Sequence, residues 1–132
     1  MSAGFVYVDT SVALAHVLVE GTRPPAALWR ESLIASRLLA YESWVLIHRR
    51  GLADSHGDPL RAVLARIALL ELIEPILGAA LGPIAGRPRT LDALHLASIL
   101  FLIEQGQEVR LATYDRRLAE IAAAAGIALY PL

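Results

Sequence analysis

The apolar positions of the chain fall into short runs separated by longer segments with helical spacing. Phe5-Val6-Tyr7-Val8 is apolar and partly β-branched, the pattern of a buried strand. Residues 12–19 then read as a helix with Leu14, Val17 and Leu18 as an apolar stripe, and Gly21 is the expected stop. Pro24-Pro25 opens a short helix reaching Trp29, Leu33-Ile34-Ala35-Ser36 predicts a second strand, and residues 40–52 predict a helix. Asp58-Pro59 has the form of an N-cap followed by proline at the first helical position, which predicts a helix over 60–70. Leu72-Ile73 is a candidate third strand, and residues 76–84, interrupted by Gly78 and Gly82, read as weak helix or loop.

The segment 91–103 is apolar almost all the way round, with Thr90 as its expected N-cap, and it fades at Gln105-Gly106. A helix without a polar face is normally buried, yet this one carries Asp92 and His95. Residues 109–113 predict a strand, Asp115 starts a helix that Gly126 closes, and residues 127–130 predict a last strand. Strands alternating with helices imply right-handed crossovers and a parallel sheet covered on both faces. Ligands of such sheets bind at the carboxyl ends of the strands.

Composition narrows the chemistry. The chain has 132 residues, one domain by length, 56% hydrophobic residues and no cysteine. Disulfides, thiolate zinc sites and cysteine nucleophiles are excluded, and a cytoplasmic protein is expected. No apolar run approaches the roughly 18–20 residues of a membrane span, and the amino-terminal region does not read as a signal peptide. Net charge is −1, so no global field draws the protein to nucleic acid. All 12 basic residues are arginine, which removes P-loop and Schiff-base lysines and nearly closes a phosphoacceptor reading of Asp9.

Four acids share a setting. Asp9 follows the first strand, Glu42 lies just inside the helix after the second, Asp92 opens the apolar helix, and Asp115 follows the 109–113 strand. Each, alone, is explained as an acid at a helix start. The parallel sheet offers the other reading, a carboxylate cluster at one edge. Clustered carboxylates repel one another, and a hard divalent cation such as Mg²⁺ or Mn²⁺, which prefers oxygen ligands, removes that repulsion. Repulsion predicts that, without metal, Asp9→Asn or Asp92→Asn leaves the melting temperature unchanged or raises it. Glu20, Glu31, Asp54, Glu104, Glu108 and Glu120 read as solvated.

Four stretches also resemble a known family in order. Val6-Tyr7-Val8-Asp9-Thr10-Ser11, Leu39-Ala40-Tyr41-Glu42, Leu91-Asp92-Ala93-Leu94-His95-Leu96-Ala97 and Leu111-Ala112-Thr113-Tyr114-Asp115-Arg116-Arg117-Leu118 are similar to the motifs of PIN-domain ribonucleases. Within them the chain resembles the VapC-type toxins of toxin–antitoxin pairs. The resemblance covers nearly the whole chain, 1–132, as a single PIN domain. It implies an α/β/α sandwich around a parallel sheet and a Mg²⁺ or Mn²⁺ site built by Asp9, Glu42, Asp92 and Asp115, with Ser11 and Thr113 supporting it. It further implies hydrolysis of RNA by a metal-activated water, dimerisation, and inhibition by a cognate VapB-like antitoxin. Many relatives carry a further acid where this chain has Leu118, so a one-metal site is expected.

Other residues carry two readings each. His95 reads as a hydrogen-bonded core histidine rather than a ligand, because buried polar groups need partners. Arg87, Arg89 and Arg116 could grip RNA phosphates or belong to solvated loops. Tyr41, Trp44 and Tyr114 could stack on bases, with core packing the expected role. The stripe of Leu14, Val17 and Leu18 is core or a groove for an antitoxin helix. The alternative to a nuclease is a binding module, its acidic pocket docking an arginine-bearing antitoxin tail without efficient catalysis.

Overall fold

The computed structural model describes residues 4–19, 21–84 and 86–132. Strand β1 (Phe5–Val8) leads through Asp9 into α1 (Thr10–Leu18), and a 3-10 turn over Ala26–Arg30 precedes β2 (Leu33–Ser36). Helices α2 (Leu38–Arg49) and α3 (Ala53–Leu64) follow, then β3 (Ala68–Leu70), α4 (Glu74–Leu81), α5 (Thr90–Glu104), β4 (Val109–Ala112), α6 (Arg116–Ala124) and β5 (Ala128–Leu129). The strands form one parallel sheet in the order β3-β2-β1-β4-β5, flanked by helices. This is the expected α/β/α class.

β1 lies at the centre, and Val6, Tyr7 and Val8 are fully buried because helices cover both sides of the strand. The chain builds outward from β1 through β2 to β3, then crosses to the other side for β4 and β5. The strand order therefore reverses between β1 and β4, which makes their carboxyl ends the crevice of the sheet. Val8 pairs with Ala112 there, so Asp9 and Thr113 leave the sheet side by side.

The middle of α5 is buried as its composition requires, through Ala93, His95, Leu96, Ala97, Ser98, Ile99 and Leu102. Its ends are not, since Leu91 and Ile103 are exposed. Thr90 is the first helical residue, and Arg89 takes the cap position without a side-chain bond. Residues 76–84, read as weak helix or loop, are helical from Glu74 to Leu81. Ile76 is buried, and the close packing of α4 on α5 holds the segment despite Gly78.

Two expectations fail around α3. The helix begins at Ala53 and runs through Pro59 to Leu64, so Asp58 is not its N-cap, and the third strand is 68–70 rather than 72–73. Gly57, Leu60 and Val63 repeat at a spacing of one helical turn and are buried, while Pro59 faces solvent. Burying a leucine and a valine gives roughly 1.5–3 kcal/mol each, which offsets the ~3 kcal/mol that a proline inside a helix costs. Gly57 packs against Trp44 and Arg61, which lie 3.6 Å from the position of a Cβ, an ordinary contact distance. Residues 68–70 leave the helix because they pair with β2, Ile34 with Ala68 through Ser36 with Leu70. A local turn signal at Asp58-Pro59 was outweighed by tertiary burial.

Helix α1 ends at Leu18 with Val19 as its cap, close to the expected end at residue 19. Val19 takes the left-handed conformation with φ of 53°, and Gly21 follows with φ of 65°.

Pro59→Ala separates the two placements of α3. In a helix that runs through position 59, the substitution restores a backbone donor to Ser55 and raises stability, by ~1–3 kcal/mol. In a helix starting at Pro59 it would be neutral or destabilising. Urea unfolding of the two proteins decides between them.

Candidate active site

Asp9 is the most constrained of the four acids. It caps α1, is 7% exposed, and three donors converge on its Oδ2: the Ser11 amide at 3.3 Å, the Ser11 hydroxyl at 2.7 Å and the Thr113 hydroxyl at 2.8 Å. Each hydroxyl has one proton and gives it to Asp9. Each in turn accepts a backbone amide, Ser11 Oγ from Tyr114 at 2.9 Å and Thr113 Oγ1 from Asp115 at 3.0 Å. The 3.4 Å approach of the two hydroxyls is thus a contact between acceptors. Oδ1 stands outside this cradle. The resemblance gives Ser11 and Thr113 supporting places, and their hydroxyls hold Asp9.

Glu42, in the second turn of α2, is anchored in the same manner. The Thr10 hydroxyl donates to its Oε1 at 2.7 Å, and His95 Nε2 lies 2.8 Å from the same atom. His95 is 1% exposed and its Nδ1 lies 2.7 Å from the Tyr7 hydroxyl, which accepts the Ser36 amide at 3.0 Å. An ionised carboxylate only accepts, so Nε2 carries the proton; in the neutral ring Nδ1 then accepts from Tyr7. Burial pushes the pKa of the Tyr7 hydroxyl up beyond its ordinary range, which keeps it protonated and able to donate. His95 is therefore the hydrogen-bonded core histidine the sequence implied, with its partners now named.

Asp92 is half-buried in the first turn of α5, and Asp115 caps α6 by accepting the Leu118 amide at 3.1 Å. Burial raises the Asp92 pKa above its ordinary value, and the negative charges of Asp115 and Asp9 raise it further; the Arg89 guanidinium opposes them. The fields of three of the four acids thus meet at the crevice between β1 and β4. They do not form a closed cage: no three histidine, aspartate or glutamate side chains among the described residues are close enough to enclose a metal ion.

Does this donor set suit a cation? Mg²⁺ demands no cage, since it keeps several waters and is held by one or two carboxylates. An oxygen-only set, with Asp9 and Glu42 each anchored through one oxygen and Asp92 destabilised by its neighbours' charge, fits such an ion. Leu118, where the extra acid of many relatives would stand, is 1% exposed and part of the core.

The model of the PIN domain matches residues 6–124. The chain belongs to the PIN domain family. PIN domains are generally nucleases and typically bind a divalent metal. No curated protein matched the chain.

The remaining candidates separate clearly in this PIN domain. Arg87, Arg89 and Arg116 are exposed, and Arg116 pairs with no carboxylate among the described residues. Arg87 takes the left-handed conformation with φ of 49°, and Arg117 donates to its carbonyl at 3.2 Å. Trp44 is half-buried beneath the Arg61 guanidinium, 5.0 Å from its ring centre, and Tyr114 packs against the core; core packing was expected of both. Tyr41 departs from that expectation at 69% exposure. In the α1 stripe Val17 is core, and Leu14 is partly buried against it. Of the acids set aside, Glu20 lies outside the described residues; Glu31 lies 3.5 Å from Arg110, and the others are exposed.

Sequence reasoning missed Tyr7, Thr10 and Ser36. The hint lay in the strand period, because Tyr7 and Asp9 stand two apart and share one side of the chain.

The geometry revises the expectation that either substitution relieves repulsion. A carboxyl whose folded pKa is raised costs stability once it ionises, and the cost vanishes below the unfolded value of about 3.9. Asp92→Asn therefore raises the melting temperature at pH 7 without metal, by roughly 1–2 °C, and the gain disappears towards pH 3.5. Asp9→Asn weakens three charge-assisted bonds and lowers stability at pH 7 by about 1–2 kcal/mol. Paired calorimetry across pH checks both; a stabilised Asp9→Asn would refute the anchoring.

Proposed function

We propose that this PIN domain is a Mg²⁺- or Mn²⁺-dependent endoribonuclease and the toxin of a toxin–antitoxin pair. The observation that carries the nuclease is the shared anchoring of Asp9 and Glu42. Each gives one oxygen to protein donors, and Asp92 feels the charge of Asp115 and Asp9. Asp9, Asp92 and Asp115 would be the main ligands, with Glu42 a ligand or the group that orients the attacking water. A bound divalent cation would supply an activated water and neutralise charge on the phosphodiester. Ser11 and Thr113 hold Asp9 so that little rearrangement accompanies the reaction.

Arg87, Arg89 and Arg116, exposed and, for Arg89 and Arg116, close in the chain to Asp92 and Asp115, are our proposed contacts to the RNA backbone. With a net charge of −1, recognition rests on such local arginines, and single-stranded loops are the fitting target. The toxin role rests on the motif resemblance; its partners would be a VapB-like antitoxin and a second copy of the chain. Leu77 and the 90% exposed Leu81 on α4, with Pro88 and Leu94, line a depression of about 470 Å³, apolar surface of the kind that marks interaction sites. No helix among the described residues is long and apolar enough to cross a membrane, and we propose a cytoplasmic location.

Leu118 favours one alternative, a pocket that docks the antitoxin and cuts poorly. The purified protein, freed of any antitoxin, distinguishes the two. The nuclease reading expects discrete RNA fragments with Mg²⁺ or Mn²⁺, none with EDTA, and a loss of roughly 100-fold or more in Asp92→Asn, since even the supports of metal ligands are worth 10–100-fold. Cleavage by Asp92→Asn at the wild-type rate would sink it; tight peptide binding without turnover under any metal would favour the docking pocket.

A further inference from the structure

The chain of bonds behind Glu42 is more than core packing requires. Tyr7, Ser36 and His95 are all 0–1% exposed, and they come from β1, β2 and α5. Their bonds run from the Ser36 amide to the Tyr7 hydroxyl, then to His95 Nδ1, and from His95 Nε2 to Glu42 Oε1, at 3.0, 2.7 and 2.8 Å. The Tyr7 and His95 rings meet edge to face, with centroids 5.7 Å apart, which fixes the plane of the imidazole. Only one neutral tautomer satisfies both ends. Were the proton on Nδ1, the Glu42 carboxylate would face a lone pair and Tyr7 would lose its acceptor.

We propose that His95 is a positioning residue for Glu42, held by Tyr7 as the tautomer protonated at Nε2, so that Oε1 is anchored and Oε2 is left for a divalent cation. The inference rests on the metal-site reading above and deepens it. Ser36 sets the direction of the relay by donating its amide to Tyr7, which directs the hydroxyl proton to the ring. Its own hydroxyl accepts the Leu38 amide at 2.9 Å, joining the relay to the start of α2, the helix that bears Glu42. Metal-ligand supports of this kind typically change affinity 10–100-fold.

The test uses the whole chain with Mn²⁺ as the probe. Long-range ¹⁵N spectra of the wild type, which need no substitution, should show His95 Nε2 carrying a proton toward Glu42; a bare Nε2 overturns the proposal. His95→Leu should weaken Mn²⁺ binding about 10-fold or more. His95→Gln, whose amide can still donate to Glu42, should keep most of the affinity. A purely structural histidine would lose the same with either variant. In a Glu42→Ala background His95→Leu should cost nothing further, because the partner through which it acts is gone. Equal Mn²⁺ affinity in wild type and folded His95→Leu, with Asp9→Asn impaired, overturns the role of His95 and leaves the metal site standing. Absence of Mn²⁺ binding by the wild type removes both.

Discussion

Like charges brought together at the mouth of a sheet push one another away, and the fold must hold them without a lysine or arginine buried among them. It does so with hydroxyl and imidazole donors on one oxygen of each anchored carboxylate. Asp9 Oδ2 takes three such donors and Glu42 Oε1 takes two. Neutral donors favour the charged form without cancelling its charge. The field that a cation would feel therefore survives, and Asp92 registers it as a raised pKa caused by burial first and by Asp115 and Asp9 after it.

The donors depend on backbone geometry more than on side-chain choice. Ser11 and Thr113 can give their protons to Asp9 because the amides of Tyr114 and Asp115 occupy their lone pairs. Those amides are in place because β1 and β4 are neighbours in register, with Val8 opposite Ala112. A slip of one residue would turn Thr113 away and break the cradle. The core of Val6, Tyr7, Val8, Leu111 and Ala112, all fully buried, makes such a slip costly. Packing at the sheet centre and electrostatics at its edge are thus a single constraint.

The same logic reaches Glu42 from the other side of β1. Tyr7 lies in the strand that ends at Asp9, and its hydroxyl reaches His95 in α5, the helix that opens with Asp92. One strand therefore supports both anchored acids, directly for Asp9 and through a ring for Glu42. Buried hydroxyl and imidazole groups left unpaired would each cost about 1–3 kcal/mol, so the relay also discourages other arrangements of these elements.

Much of this was legible along the chain. Local period revealed four of the strands and most of the helices, and the four acids stood out because each lies where a helix begins. Ser11 and Thr113 were readable only through the motif resemblance. Helix α3 was not, because Asp58-Pro59 is a strong local start signal and the burial of Gly57, Leu60 and Val63 that outweighs it depends on neighbours elsewhere. Nor were the anchors of Glu42: His95 lies 53 residues away from it and 88 from Tyr7. The sequence by itself determined the periods, the alternation of strand and helix, and which residues are able to bear charge. Only the tertiary structure decided which oxygen of each carboxylate is held and by which distant side chains, because hydrogen bonds between distant residues follow strand order and register, and local patterns carry neither.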